Sequence, residues 1–169
     1  MIHPILQFGA PELQLKSQPV ERFDEELKTL TQDMLQTMYA APGIGLAAPQ
    51  IGINLRLTVI DITAGEEKGH QIVLVNPKIT EQEGGEKGEE GCLSIPGFTA
   101  VVERPQQVRV VAQDLDGNPI EVGGSDLLAR AICHEIDHLN GILYIDRISR
   151  LKRELIKRKI QKLVRAGEW

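Results

Sequence analysis

An α+β fold is expected from three features of this 169-residue sequence. Short runs rich in β-branched residues recur between residues 55 and 122 with turn signals between them. Two long amphipathic stretches lie outside those runs, one toward each end, and a third helical stretch follows the runs and carries two of the four histidines. Strands clustered together and helices kept apart from them favour antiparallel sheets with segregated helices. The expected architecture is a set of antiparallel sheets around a central helix, with N-terminal and C-terminal helices.

Pro-punctuated turns run through Pro19, and Phe23 to Ala41 reads as the first long helix. Asp24 can cap it, Glu25 and Glu26 suit the positive end of the helix dipole, and Leu27, Leu30, Met34, Leu35 and Met38 form its apolar stripe. Pro42-Gly43-Ile44-Gly45-Leu46-Ala47-Ala48-Pro49-Gln50 stops that helix. Its glycines allow unusual dihedrals or a close approach by another backbone. A phosphate loop is set aside, because no preceding strand and no G-K-[ST] accompany them. Leu55–Ile62 and Gln71–Ile79 read as strands joined by the Gly65–Gly69 turn, whereas the acidic, Gly-rich run Glu81–Gly91 reads as a loop. Ala100–Val102 and Gln107–Gln113 are further strands, Asp116-Gly117-Asn118 is a hairpin turn, and Pro119–Val122 is a short strand. Gly123-Gly124-Ser125-Asp126 caps a helix from Leu127 to Leu139, anchored by Leu127, Leu128, Ala131 and Ile132 and ended by Asn140-Gly141. A last helix runs from about Ser149 to Val164. No internal repeat is visible.

At 41% hydrophobic and 25% charged residues, the composition is that of one globular domain over 1–169, not a disordered or fibrous chain. Met1–Gln7 shows no basic segment leading into a long apolar run, and nothing approaches the roughly 20 apolar residues that span a bilayer. A soluble, cytoplasmic protein with no membrane and no DNA partner is expected. Two cysteines, Cys92 and Cys133, are too few for a disulfide framework and are free for metal work or packing. The net charge of −5 is uneven. Residues 1–149 hold 11 Lys+Arg against 22 Asp+Glu, and residues 150–169 hold 8 against 2.

The central helix carries His134-Glu135-Ile136-Asp137-His138, an H-E-x-x-H pattern. Residues four apart stand one turn above each other, so both imidazoles can reach one metal ion. Glu135, about 100° around from His134, sits beside that ion. Two histidines can also be a solvated face or hydrogen-bonded core residues. A hydrolytic metal site needs a third protein donor and an open position.

Three separated segments resemble the signature motifs of the peptide deformylases: Gly43-Ile44-Gly45-Leu46-Ala47-Ala48-Pro49-Gln50, Glu90-Gly91-Cys92-Leu93-Ser94 and His134-Glu135-Ile136-Asp137-His138-Leu139. The similarity covers essentially the whole chain except the tail. It implies an α+β fold, removal of the formyl group from the N-terminal formyl-methionine of new polypeptides, and Cys92 as the third ligand beside His134 and His138. A thiolate with two imidazoles suits Fe2+, Zn2+, Ni2+ or Co2+, and the resemblance favours Fe2+. In the implied mechanism, metal-activated water attacks the formyl carbonyl, and Glu135 takes the water's proton and returns it to the departing amine. The Gln50 side-chain amide and the Leu93 backbone N–H are the implied oxyanion donors. Gly43, Ile44, Gly45 and Gly91 are the candidate substrate-binding residues, with Ile44 equally readable as core.

Glu90 and Arg104 are expected either as a buried ion pair bracing the Cys92 loop or as a solvated pair. Cys133 stands where the family usually has Gln. Adjacent helix positions do not share a face, so Cys133 is expected to be a small buried residue and not a ligand. Two other classes stay open: an H-E-x-x-H peptidase, which commonly recruits a downstream Glu or His, and a metal-stabilised binding module, which needs a fourth ligand. In the tail, at 149–165, Leu151, Leu155, Ile156, Ile160 and Leu163 can pack on the body while basic side chains face outward. Such a helix is either merely solvated or a contact for ribosomal RNA, which would place the enzyme near nascent formyl-methionyl chains.

Overall fold

The computed structural model describes residues 1–169. Three α-helices, α1 (Glu25–Ala40), α2 (Asp126–Leu139) and α3 (Arg150–Arg165), surround two antiparallel sheets. The larger sheet contains β1 (Gly45–Ala47), β2 (Leu57–Ile60), β3 (Ile72–Glu83), β6 (Gln107–Gln113) and β7 (Pro119–Ser125), in the order β1-β2-β3-β6-β7. The smaller sheet is a hairpin of β4 (Glu86–Gly91) and β5 (Thr99–Arg104), paired from Glu86↔Arg104 to Gly91↔Thr99. No helix is long and apolar enough to cross a membrane.

Local chemistry accounts for the helices. Asp24 accepts a hydrogen bond from Leu27 N at 3.1 Å, a cap worth about 1 kcal/mol. Ser149 caps α3 through Lys152 N. The cap of α2 differs from expectation. Gly123 and Gly124 belong to β7, and Ser125 precedes the helix without a side-chain cap bond. A Cβ on Gly124 would come within 3.0 Å of Leu128 Cγ and Ile132 Cδ1, so its glycine lets α2 lie close against β7.

The sequence expectation fails most clearly at Glu81–Gly91. This run is not a loop: β3 continues to Glu83 and β4 begins at Glu86. Along β4 the burial alternates, with Glu86, Gly88 and Glu90 less exposed than Lys87 and Glu89. The period of two is present, but its inward residues are a glycine and two glutamates, of which Glu90 is paired, and an apolar-run criterion does not see them. β1, inside the Pro42–Gln50 stretch that stops α1, is only three residues long and is held by pairing with β2.

Three apolar clusters fill the interior. The first joins α1 to β1 and β2, the second joins α2 to β6 and the middle of the sheet, and the third gathers Ile95, Val102, Leu143, Tyr144 and Ile145 with Ile156 and Ile160 of α3. Three residues expected to pack in the core are exposed. Leu127 is 47% exposed, at the open start of α2, and Leu151 and Leu155 of α3 are 71% and 47% exposed. Only Ile156 and Ile160 are buried along α3, one turn apart, because its contact with the body is confined to one narrow stripe.

Candidate metal centre

Helix α2 presents His134 and His138 on one face, four residues apart, with both Nε2 atoms turned toward each other at 3.1 Å. Cys92, just after β4, brings Sγ to 3.3 Å from His138 Nε2. The three donor atoms lie within 4.8 Å of one another. Tetrahedral coordination at about 2.0–2.3 Å would separate such donors by about 3.3–3.6 Å, close to the 3.1 and 3.3 Å that separate His138 Nε2 from the other two donors. The cluster contains neither the downstream Glu or His of the peptidase alternative nor a fourth ligand that would close a structural site.

The surroundings favour a cation. Burial opposes protonation of His134, yet Cys92 and Glu90 raise its pKa well above the ordinary value. Burial and the neighbouring His134 charge lower that of His138. The two imidazoles thus do not both carry a second proton, and a divalent ion fits the donor set. His134 Nδ1 lies 2.7 Å from Glu90 Oε2. A proton on Nδ1 directed at that carboxylate leaves the Nε2 lone pair for a metal.

Glu90 is 7% exposed and is surrounded by cations. Arg104 grips it through two bonds, Nε to Oε1 at 3.0 Å and Nη2 to Oε2 at 2.6 Å, and Arg130 Nη1 reaches Oε1 at 3.1 Å. Burial alone would raise the Glu90 pKa, but the bonds from His134 and Arg104 outweigh it and hold the carboxyl down at about 2. Of the two readings of Glu90 and Arg104, the buried pair is the one observed. It extends further: Arg104 Nη1 also binds Asp137 Oδ2 at 2.6 Å, and Asp137 takes two bonds from Arg147.

Glu135 is 4% exposed, and its Oε2 is buried with no hydrogen-bond partner in the protein. Burial pushes its carboxyl up to about 7, whereas a neighbouring cation favours the carboxylate form. Gln50, 1% exposed, accepts from Ala47 N through Oε1 and directs Nε2 at Ser94 Oγ (3.1 Å) and Cys92 Sγ (3.7 Å). The Leu93 N–H makes no hydrogen bond within the chain.

These groups border a cavity of about 730 Å³ that is also lined by Gly43, Ile44, Gly45 and Gly91. Gly43 and Gly45 do not adopt positive φ. Their role is close approach, by side chains and not by another backbone: a Cβ would lie 2.7 Å from Leu93 Cδ1 at Gly43 and 2.5 Å from Glu135 Oε1 at Gly45. Ile44 lines the cavity and also packs against the second cluster. Cys133 is 5% exposed in that cluster, and burial pushes its thiol up to about 11.

His3 was not foreseen. It lines the cavity, with Nε2 3.0 Å from Asp33 Oδ2 and its backbone N–H donating to Thr37 Oγ1. No motif marks it. Arg130 and Asp137 were also missed, although Arg130, a single charge within the otherwise apolar stretch Leu127–Cys133, is a signal for a buried ion pair.

A family model described as polypeptide deformylase matches residues 2–154. A peptide deformylase of Acidobacterium capsulatum is 54% identical over 169 residues, spanning 100% of this chain and 99% of the relative. One from Mesorhizobium japonicum is 50% identical over 165 residues, spanning 97% and 94%. The crystal structure of a peptide deformylase from Legionella pneumophila superposes with a TM-score of 0.92 at 49% identity, covering 99% of this chain and 98% of that one. A Synechococcus elongatus peptide deformylase in complex with actinonin gives 0.89 at 45% identity, covering 94% and 88%.

Proposed function

The chain belongs to the polypeptide deformylase family, and from this premise we propose how its own residues remove the N-formyl group from nascent polypeptides. Cys92, His134 and His138 would hold one divalent ion, with Fe2+ favoured and Zn2+, Ni2+ or Co2+ also compatible with the donor set. When bound, that ion supplies Lewis-acid activation of water and polarisation of the formyl oxygen.

Glu135 is the general base and acid. Its unpartnered Oε2 takes a proton from the attacking water as the new C–O bond forms at the formyl carbon. The same oxygen delivers the proton to the amine nitrogen as the C–N bond breaks, releasing formate and a free N-terminus. Gln50 Nε2 and the Leu93 N–H donate to the oxygen on which charge develops. Gly43, Ile44, Gly45 and Gly91, which line the cavity, receive the methionine side chain and the extended peptide. The observation that carries this assignment is a buried carboxylate with a free oxygen beside a Cys-His-His donor set, with Cys92, His134 and Glu135 all lining one cavity.

The hydrolase unit spans 1–169, with the basic helix at 149–165 as its appendage. Its exposed Arg158, Lys159 and Lys162 suit ribosomal RNA, and the reaction belongs in the cytoplasm where chains emerge. The test is formate release from a formyl-Met peptide by protein purified without oxygen. Chelation should abolish turnover and Fe2+ should restore it; turnover indifferent to chelation would contradict the assignment.

A further inference from the structure

The two parts that carry the donor atoms belong to different pieces of the fold. His134 and His138 stand on α2, which packs into the second apolar cluster, whereas Cys92 lies in the loop between β4 and β5 and packs on the third. The hairpin shares no strand pairing with the larger sheet. What joins it to α2 near the site is therefore largely polar, and that polar joint sets the distance between the sulfur and the imidazoles.

Arg130 is the element of this joint with the widest span. It lies four residues before His134, one helical turn away on the same face, and is 7% exposed. Its Nη1 donates to Val102 O of β5 at 2.9 Å, to Glu90 Oε1 at 3.1 Å and to Gly88 O at 3.4 Å, and its Nη2 donates to Glu86 O of β4 at 3.0 Å. One planar group thus grips both strands and the carboxylate that holds His134. Gly88 is shaped for it: a Cβ there would lie 3.0 Å from Nη2 and 3.1 Å from Cζ.

We propose that Arg130 is a positioning residue that clasps the Cys92-bearing hairpin onto the histidine-bearing helix through the backbone of Glu86, Gly88 and Val102, and that this clasp governs how fast the site releases its metal. The proposal rests on Cys92, His134 and His138 being the ligands. Glu90 keeps both bonds from Arg104 when Arg130 is changed, so no buried carboxylate is left without a cation. The expected defect is a looser hairpin. Lysine at this position retains the charge but is a point donor on a flexible stem and cannot reproduce the fork.

The experiment loads the metal-free full chain with Co2+ under argon, records the thiolate-to-cobalt charge-transfer absorption, and follows its decay in excess chelator. The wild type should show the band and Cys92→Ser should lack it. Arg130→Lys and, independently, Gly88→Ala should keep the band but release Co2+ at least about tenfold faster, the scale at which outer partners of metal ligands act. Ile160→Val, which weakens α3 packing far from the hairpin, calibrates the effect of lost stability alone through the melting temperature of each metal-free protein. Release by Arg130→Lys and Gly88→Ala at the wild-type rate, or no faster than Ile160→Val after adjustment for melting temperature, overturns the proposal while leaving the ligands in place. A wild type without the band, or a Cys92→Ser that keeps it, overturns the ligand assignment and the proposal together.

Discussion

Gly45 and Glu135 fit each other so closely that a methyl group on Gly45 would lie 2.5 Å from Glu135 Oε1 and 2.9 Å from its Cδ. The glycine of β1 leaves the space that the buried carboxylate occupies. Gly45→Ala should fold, because a side-chain end can move aside more easily than backbone, but Glu135 should leave its position. We expect kcat to fall about 100-fold, near the lower end of what general acid–base help is worth, with the far-UV spectrum and metal content unchanged. A Gly45→Ala enzyme with ordinary kcat would mean that the position of Glu135 does not matter.

The two cysteines should separate cleanly. Cys92 borders the cavity within reach of both imidazoles, and Cys133 is buried among apolar side chains. Cys92→Ser should lose most of its bound metal on dialysis, and Cys133→Ser should retain it. Metal analysis of the two proteins side by side decides the matter, and the reverse pattern would assign the wrong thiol.

Asp137 joins the buried Arg104 and the exposed Arg147 at 2.6 Å each, so one of its two ion pairs is buried. Breaking a buried ion pair from one side costs about 3–5 kcal/mol. Arg104 keeps Glu90 as a partner, so Asp137→Asn should lie near the lower figure, lowering the melting temperature by roughly 6–12 °C in a chain of this size. Calorimetry on the metal-free protein checks this, and a shift below about 2 °C would show the network to be energetically idle.

The helices were legible in extent because their apolar period is regular, and α1 also in its cap, where Asp24 bonds the N–H of Leu27 three residues on; the expected cap of α2 was not, because Ser125 makes no side-chain cap bond. β4 was not legible, because Gly88 and the paired Glu90 replace apolar residues on its inner face. The same contrast holds at the site. His134, Glu135 and His138 can be read from spacing on one helix, and Cys92 and Gln50 from resemblance. Arg130, Asp137 and the Glu90–His134 bond join side chains across separate elements, where neither period nor motif records the partner. His3 enters the cavity only because the chain's first residues lie along α1, held by Thr37 and Asp33.

Helix α3 offers a separate test. Replacing Lys157, Arg158, Lys159 and Lys162 with Gln leaves the buried Ile156 and Ile160 untouched, so folding should be preserved. Wild-type protein should co-sediment with ribosomes in a salt-sensitive manner, and the variant should bind more weakly with a shallower salt dependence. Equal binding by both would reduce α3 to a packing helix.

The most direct test of the catalytic account is Glu135→Gln, measured for metal content and formate release in the same preparation. All three donor residues survive in that variant, so it should hold about one Fe2+ per chain, as expected of a three-donor site. Turnover of a formyl-Met peptide should fall by about 10²–10⁴-fold. A metal-replete Glu135→Gln enzyme that releases formate at nearly the wild-type rate would contradict the role assigned to Glu135.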